Sequence, residues 1–152
     1  MKKKKRAIKI IEKAEILPEN VSDYADASIA EATVTHKLEY ISGDARTRFM
    51  EELYRILMPG GKATIVVCYW TSARAVQDPA SEWPPICEQS FLYFNKGWRE
   101  INKLPAIKCD FDFTYGYQVD PETAGRNTET QPFWIKHYMN TANDLHVTLT
   151  KK

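Results

Sequence analysis

Apolar positions along the chain change their spacing several times, and each change predicts an element. Phe49, Leu53, Ile56 and Leu57 follow at steps of four, three and one, the stripe of an amphipathic helix. Arg46, Arg48, Glu51, Glu52 and Arg55 fill its wet side, and Asp44 is placed to cap its start. Pro59-Gly60-Gly61 ends that stripe, and residues 62–70 (KATIVVCYW) then run almost continuously apolar. Such a run predicts a strand buried on both faces, as in a parallel sheet with helices on either side. Shorter apolar segments at 7–11 and 28–35 predict two earlier strands. A long polar loop over 71–85 separates the main strand from a helix over 88–104, with Phe91, Phe94, Trp98, Ile101 and Leu104 inward. Residues 108–118 and 145–150 alternate as half-wet strands do, around a helix over 130–140. Strand, strand, helix, strand, helix, strand, helix, strand is an α/β layer order.

Composition narrows the function classes. The chain has 152 residues, 43% hydrophobic and 12% aromatic, enough for one compact domain over 7–152 behind a disordered basic tail at 1–6. Net charge is +1, but Lys2, Lys3, Lys4, Lys5 and Arg6 supply +5, which leaves −4 on the remainder. A mildly acidic body lacks the basic face that nucleic-acid binding needs. No apolar run approaches a membrane span and none follows the basic start as a leader would, so a cytoplasmic protein without a membrane partner is expected. Cys68, Cys87 and Cys109 are too far apart for a disulfide framework or a zinc motif, and His36, His137 and His146 lack metal-ligand spacing. No metal is expected.

A phosphate-cradling glycine loop lies after a strand and before a helix. Gly60-Gly61 lies after a helix and before a strand, so its expected role is a cap and turn. That order, in HKLEYISGDARTRFMEELYRILMPGGKATIVV, resembles the second half of class I S-adenosylmethionine-dependent methyltransferases, of the type 11-like kind. In those proteins a strand ends near His-x-Leu-Glu-His, and a helix ends in Arg-x-Leu-x-Pro-Gly-Gly. Here His36, Leu38 and Glu39 match the first motif, with Tyr40 replacing the last histidine. Arg55, Leu57, Pro59, Gly60 and Gly61 match the second. The loop and helix QDPASEWPPICEQSFLYFNKGWREINKL and the closing DFDFTYGY…NDLHVTLTKK extend the resemblance over roughly residues 7–152.

The resemblance implies a truncated Rossmann-like methyltransferase layer, mostly parallel, with a C-terminal antiparallel hairpin. It also implies S-adenosylmethionine as cofactor, with Ala14, Glu15, Thr35 and His36 along its adenine and methyl side. The loop over 71–85 would cover the acceptor, with Asp78, Ser81 and Trp83 in contact. No residue is assigned a catalytic step. The family's glycine-rich half has no counterpart, since none of the six glycines forms Gly-x-Gly. Lys13 stands where the family places an acid, and Ser81 where a histidine is common. The expected protein is therefore methyltransferase-like but incomplete for cofactor binding as an isolated chain. The alternative is a non-catalytic binding or oligomerising relative.

Two further features are weighed on residues alone. His146-Val147-Thr148 has the form of one phosphoesterase half-site, but no second half-site exists. The Trp83, Phe91, Tyr93, Phe94 and Trp98 cluster has helical spacing that predicts core packing, Trp83 excepted. A missing central strand would leave 28–35 to pair with 7–11 or to expose an apolar edge. A homo-oligomer joined near 7–35, or a complementing chain, is the expected partner.

Overall fold

The computed structural model describes residues 9–152. Residues 1–8, with the expected tail and the start of the expected first strand, lie outside them. The sheet has five strands: β1 (Ile11–Glu15), β2 (Ile29–Thr35), β3 (Leu57–Cys68), β4 (Phe111–Val119) and β5 (Ala142–Lys151). Their spatial order is β1-β2-β3-β5-β4. The first three run parallel, and β5 and β4 form the antiparallel part. This is the expected α/β fold, a mostly parallel Rossmann-like layer with a closing hairpin.

The first strand lies further along than the apolar run 7–11 predicts. Backbone pairing decides it: Ile11 N donates to Ser28 O at 2.8 Å and Ile16 N to Thr33 O at 2.8 Å. β2 thus has a strand neighbour, with Lys13 opposite Glu31 and Ala14 opposite Ala32. The expected apolar exposure near 7–35 is not found among the described residues. Of the large apolar side chains in that stretch only Ile10 is exposed, at 41%.

One face of the sheet carries the core. Ala63, Ile65 and Val67 of β3 are fully buried, as are Leu145, Val147 and Leu149 of β5 and Phe111 of β4. Phe49, Met50, Leu53 and Ile56 of helix α1 (Gly43–Ile56) close over them. The other face is largely uncovered among the described residues, which corrects the expectation of burial on both sides: Lys62 and Thr64 are exposed. Strand register sets Thr33, Thr64, Thr148 and Thr114 in one row across this face, beside a row of Lys13, Glu31 and Lys62. Threonine suits such a surface, since its β-branch favours extended backbone and its hydroxyl stays wet.

Several boundaries differ from the periodic reading, each for a local reason. Ser42, not Asp44, caps α1 by accepting from Ala45 N at 3.4 Å, and Asp44 lies in the first turn, where the helix dipole favours an acid. The helix stops at Ile56, so Pro59-Gly60-Gly61 is part of β3 and not a helix cap. Pairing passes from Ile29–Leu57 to Glu31–Lys62, so Met58 to Gly61 bulge out of the ladder. Gly60 has φ +74°, and a Cβ on Gly61 would lie 2.8 Å from Met58 O and 3.1 Å from Ala30 O.

The helix expected over 88–104 is broken in two, a 3-10 segment Glu88–Phe94 and helix α2 (Lys96–Ile101). Asn95 makes the break: its Oδ1 accepts from Trp98 N at 3.0 Å while its Nδ2 donates to Phe111 O at 2.9 Å. Phe91 is buried as expected, but Ile101 is 82% exposed and Tyr93 is on the surface. Helix α3 (Pro121–Ala124), capped by Asp120, was not foreseen, and the helix expected over 130–140 contracts to α4 (Gln131–His137). No helix of the described residues is long and apolar enough to cross a membrane.

Candidate functional site

In parallel α/β sheets ligands gather beyond the carboxyl ends of the strands. Beyond β2 and β3 this chain holds a compact polar cluster. His36 directly follows β2 with φ +49°, a conformation costly for a non-glycine residue, while its N–H donates to Val66 O at 2.8 Å. A single 3-10 turn, Leu38–Tyr40, brings Glu39 back beneath it. Glu39 Oε1 accepts from Cys68 N at 2.7 Å and lies 3.0 Å from His36 Nδ1. A carboxylate only accepts, so His36 Nδ1–H is the donor. Cys68 Sγ is 3.7 Å from the same nitrogen. Asp144, opposite Cys68 in the β3–β5 register, faces His36 Nε2 at 3.7 Å and accepts from Arg74 Nη1 at 3.1 Å.

Burial gives this cluster its character. Glu39 is 6% exposed, Asp144 5% and Cys68 9%. Burial pushes the Cys68 thiol up to about 11, the Glu39 and Asp144 carboxylates push the same way, and Arg74 opposes them. At neutral pH Cys68 is a thiol and no nucleophile. Glu39 Oε2 is buried with no hydrogen-bond partner among the described residues.

Past the end of β3 the chain opens into an aromatic cavity of about 840 Å³. Tyr69, Trp70, Trp83, Tyr115 and Tyr117 line it, with the Glu88 carboxylate among them. Tyr69 and Tyr117 meet edge to face at 5.1 Å, and Tyr115 and Tyr117 at 5.8 Å. Glu88 Oε2 is also buried without a partner among the described residues. Burial first, and Glu88 next, hold the Tyr117 phenol far above its ordinary range. Lys136 also lines the cavity, so one carboxylate and one ammonium share it with the aromatic rings.

Arg46 ties this region together. Buried at the start of α1, it donates to Leu38 O at 2.7 Å, Pro84 O at 2.6 Å and Glu82 O at 2.9 Å. The loop that carries Trp83 is thereby fastened to the turn that carries Glu39, and Glu82 N also donates to Glu39 O at 2.8 Å.

The residues singled out from the sequence are distributed unevenly. His36 is in the polar cluster. Thr35 precedes it, exposed and paired with Val66 on the uncovered face. Ala14 and Glu15 are neighbours inside β1, so their side chains point to opposite faces of the sheet. Asp78 and Ser81 share a turn, Ser81 N donating to Asp78 O at 2.9 Å, and neither lines the aromatic cavity. Trp83, 79% exposed, does line it. Sequence reading missed Cys68, Asp144, Arg74 and Glu88, because only strand register and loop closure unite them. His146 lies exposed on β5 opposite Val66, with no second half-site.

No family model and no curated protein matches the chain. Solved structures do. A SAM-dependent methyltransferase from Archaeoglobus fulgidus is 12% identical with a TM-score of 0.57, over 88% of this chain and 64% of that one. A putative S-adenosylmethionine-dependent methyltransferase from Listeria monocytogenes is 11% identical with a TM-score of 0.51, over 87% of this chain and 66% of that one. The chain thus spans about two thirds of the length of either relative. At such identities the likeness is one of fold, and the fold of this chain is that of the class I S-adenosylmethionine-dependent methyltransferases.

Proposed function

We propose that this chain carries the acceptor end of a methyltransferase-type site and does not, by itself, hold S-adenosylmethionine. The carrying observation is the neighbour of β2. A glycine-rich loop would be needed beyond the strand paired with β2, to let backbone approach the cofactor. That strand is β1, and it runs through Glu15 into Ile16-Leu17-Pro18 with no glycine. The residues present do not fit the cofactor, so no methyl-transfer step is derived for the isolated chain.

The aromatic cavity is the candidate for the acceptor end. The Glu88 carboxylate, with Oε2 unpartnered among the described residues, and the surrounding aromatic rings support a cationic or methylammonium-like acceptor seated against Glu88 and away from Lys136. The alternative reading, a non-catalytic binding module, uses the same cavity without the transfer. On the first reading a complementing chain or a second copy would supply the glycine-rich part of the cofactor site; the alternative reading needs none. The uncovered face, with its hydroxyl and charged rows, supports the complementing chain.

Titration calorimetry with S-adenosylmethionine tests this directly. The expected result is no heat of binding at micromolar concentrations. Tight one-to-one binding would overturn the reading and make the isolated chain an enzyme candidate.

A further inference from the structure

We propose that His36, Glu39 and Cys68 form a binding site for a divalent transition-metal ion of the zinc class. An imidazole, a carboxylate and a thiolate are the donor types such an ion prefers. One ligand atom from each residue lies within 4.8 Å of the others. Tetrahedral bonds of zinc length set donor atoms roughly 3.3–3.6 Å apart. His36 Nδ1 is already 3.0 Å from Glu39 Oε1 and 3.7 Å from Cys68 Sγ. No pair is more than 4.8 Å apart, so the Glu39–Cys68 gap closes by at most about 1 Å while the His36–Glu39 pair opens slightly, within reach of small side-chain rotations.

The surroundings favour an ion over a plain hydrogen-bond cluster. Glu39 Oε1 already accepts from Cys68 N, while Oε2 is buried and unpartnered among the described residues, so the carboxylate keeps accepting capacity that a cation would use. Asp144 Oδ2 faces the opposite ring nitrogen, Nε2, at 3.7 Å, and Arg74 holds its other oxygen. With Nδ1 on the metal, the ring proton moves to Nε2 and points at Asp144. That is the carboxylate–histidine–metal arrangement that fixes a ligand's tautomer. The His36 side chain is 32% exposed and gives the ion a way in. On binding, the thiol gives its proton to solvent and the sulfur–metal bond forms. The three ligands then carry two negative charges against the two positive charges of the ion, and a fourth position stays open to water.

Cobalt(II) titration of the intact chain, kept reduced and metal-free beforehand, tests the site without any cofactor or acceptor. We expect one equivalent to produce a thiolate-to-cobalt charge-transfer band with the strong visible bands of tetrahedral cobalt, and zinc to bleach both. Cys68→Ser should abolish the charge-transfer band, while Cys87→Ser and Cys109→Ser retain it. Asp144→Asn should weaken cobalt binding by tenfold or more while the ligands remain. Circular dichroism confirms which variants are folded, and zinc should raise the melting temperature of the parent but not of Cys68→Ser. Absence of a charge-transfer band from the parent at one equivalent overturns the proposal. So does a band that survives Cys68→Ser.

Discussion

Two adjacent glycines illustrate how differently neighbouring residues are constrained. Gly60 is required by conformation, with φ +74° and open space around it. Gly61 is required by contact, since a Cβ there meets two backbone carbonyls that cannot rotate away. Gly60→Ala should therefore cost about 1 kcal/mol, the usual penalty of a side chain at positive φ. Gly61→Ala should cost more, roughly 2 kcal/mol, because β3 must shift against β2. Chemical denaturation of both variants measures the difference. Neither change should alter ligand binding by the folded fraction, and a selective loss of binding with unchanged stability would show that the pair touches a ligand after all. That the glycines follow a helix and precede a strand, unlike a phosphate cradle, was legible; that they form a bulge and not a cap and turn was not. Their place inside a strand was hidden because helix α1 passes into β3 at Leu57 without an intervening loop.

At the scale of elements, Arg46 joins parts that are remote in sequence. Replacing it with Met keeps the buried stem but leaves three carbonyl oxygens without their donor. Arg46→Met should lower stability by roughly 2–4 kcal/mol and free the loop around Trp83. Limited proteolysis should then cut between 71 and 85 at least several times faster than in the parent. Unchanged proteolysis would mean that the loop is held elsewhere. Periodicity made the strands and α1 readable, since both patterns follow from burial on one side. It failed at 88–104, where Asn95 hydrogen-bonds its way across an otherwise helical stripe. The aromatic cavity was readable only through Trp83, because its other walls come from the chain just past β3, from the 3-10 segment, β4 and α4.

The described residues form two layers, a sheet and the helices that close over its core face. A naked sheet face normally invites association, but threonine hydroxyls and alternating charges keep this one compatible with water. Light scattering of the isolated chain at tens of micromolar should thus report one copy, 17.6 kDa, with no growth on concentration. A stable dimer would mean that a second copy, and not a complementing chain, covers the face. His36 and Glu39 were legible as a motif. Their union with Cys68 and Asp144 was not, since it depends on a register between strands some eighty residues apart.

The place of β5 has a consequence for biosynthesis. It follows the other described strands in chain order, yet it lies between β3 and β4. Until residues 142–151 have emerged, β4 has no sheet partner at all and the buried strand β3 presents an open edge. Ladder pairing of the antiparallel half cannot begin during translation of β4; it waits until residues 142–151 have left the tunnel. The nascent protein spends that interval with its most apolar strand unprotected, the state that chaperones bind and in which neighbouring polysomal chains can pair wrongly.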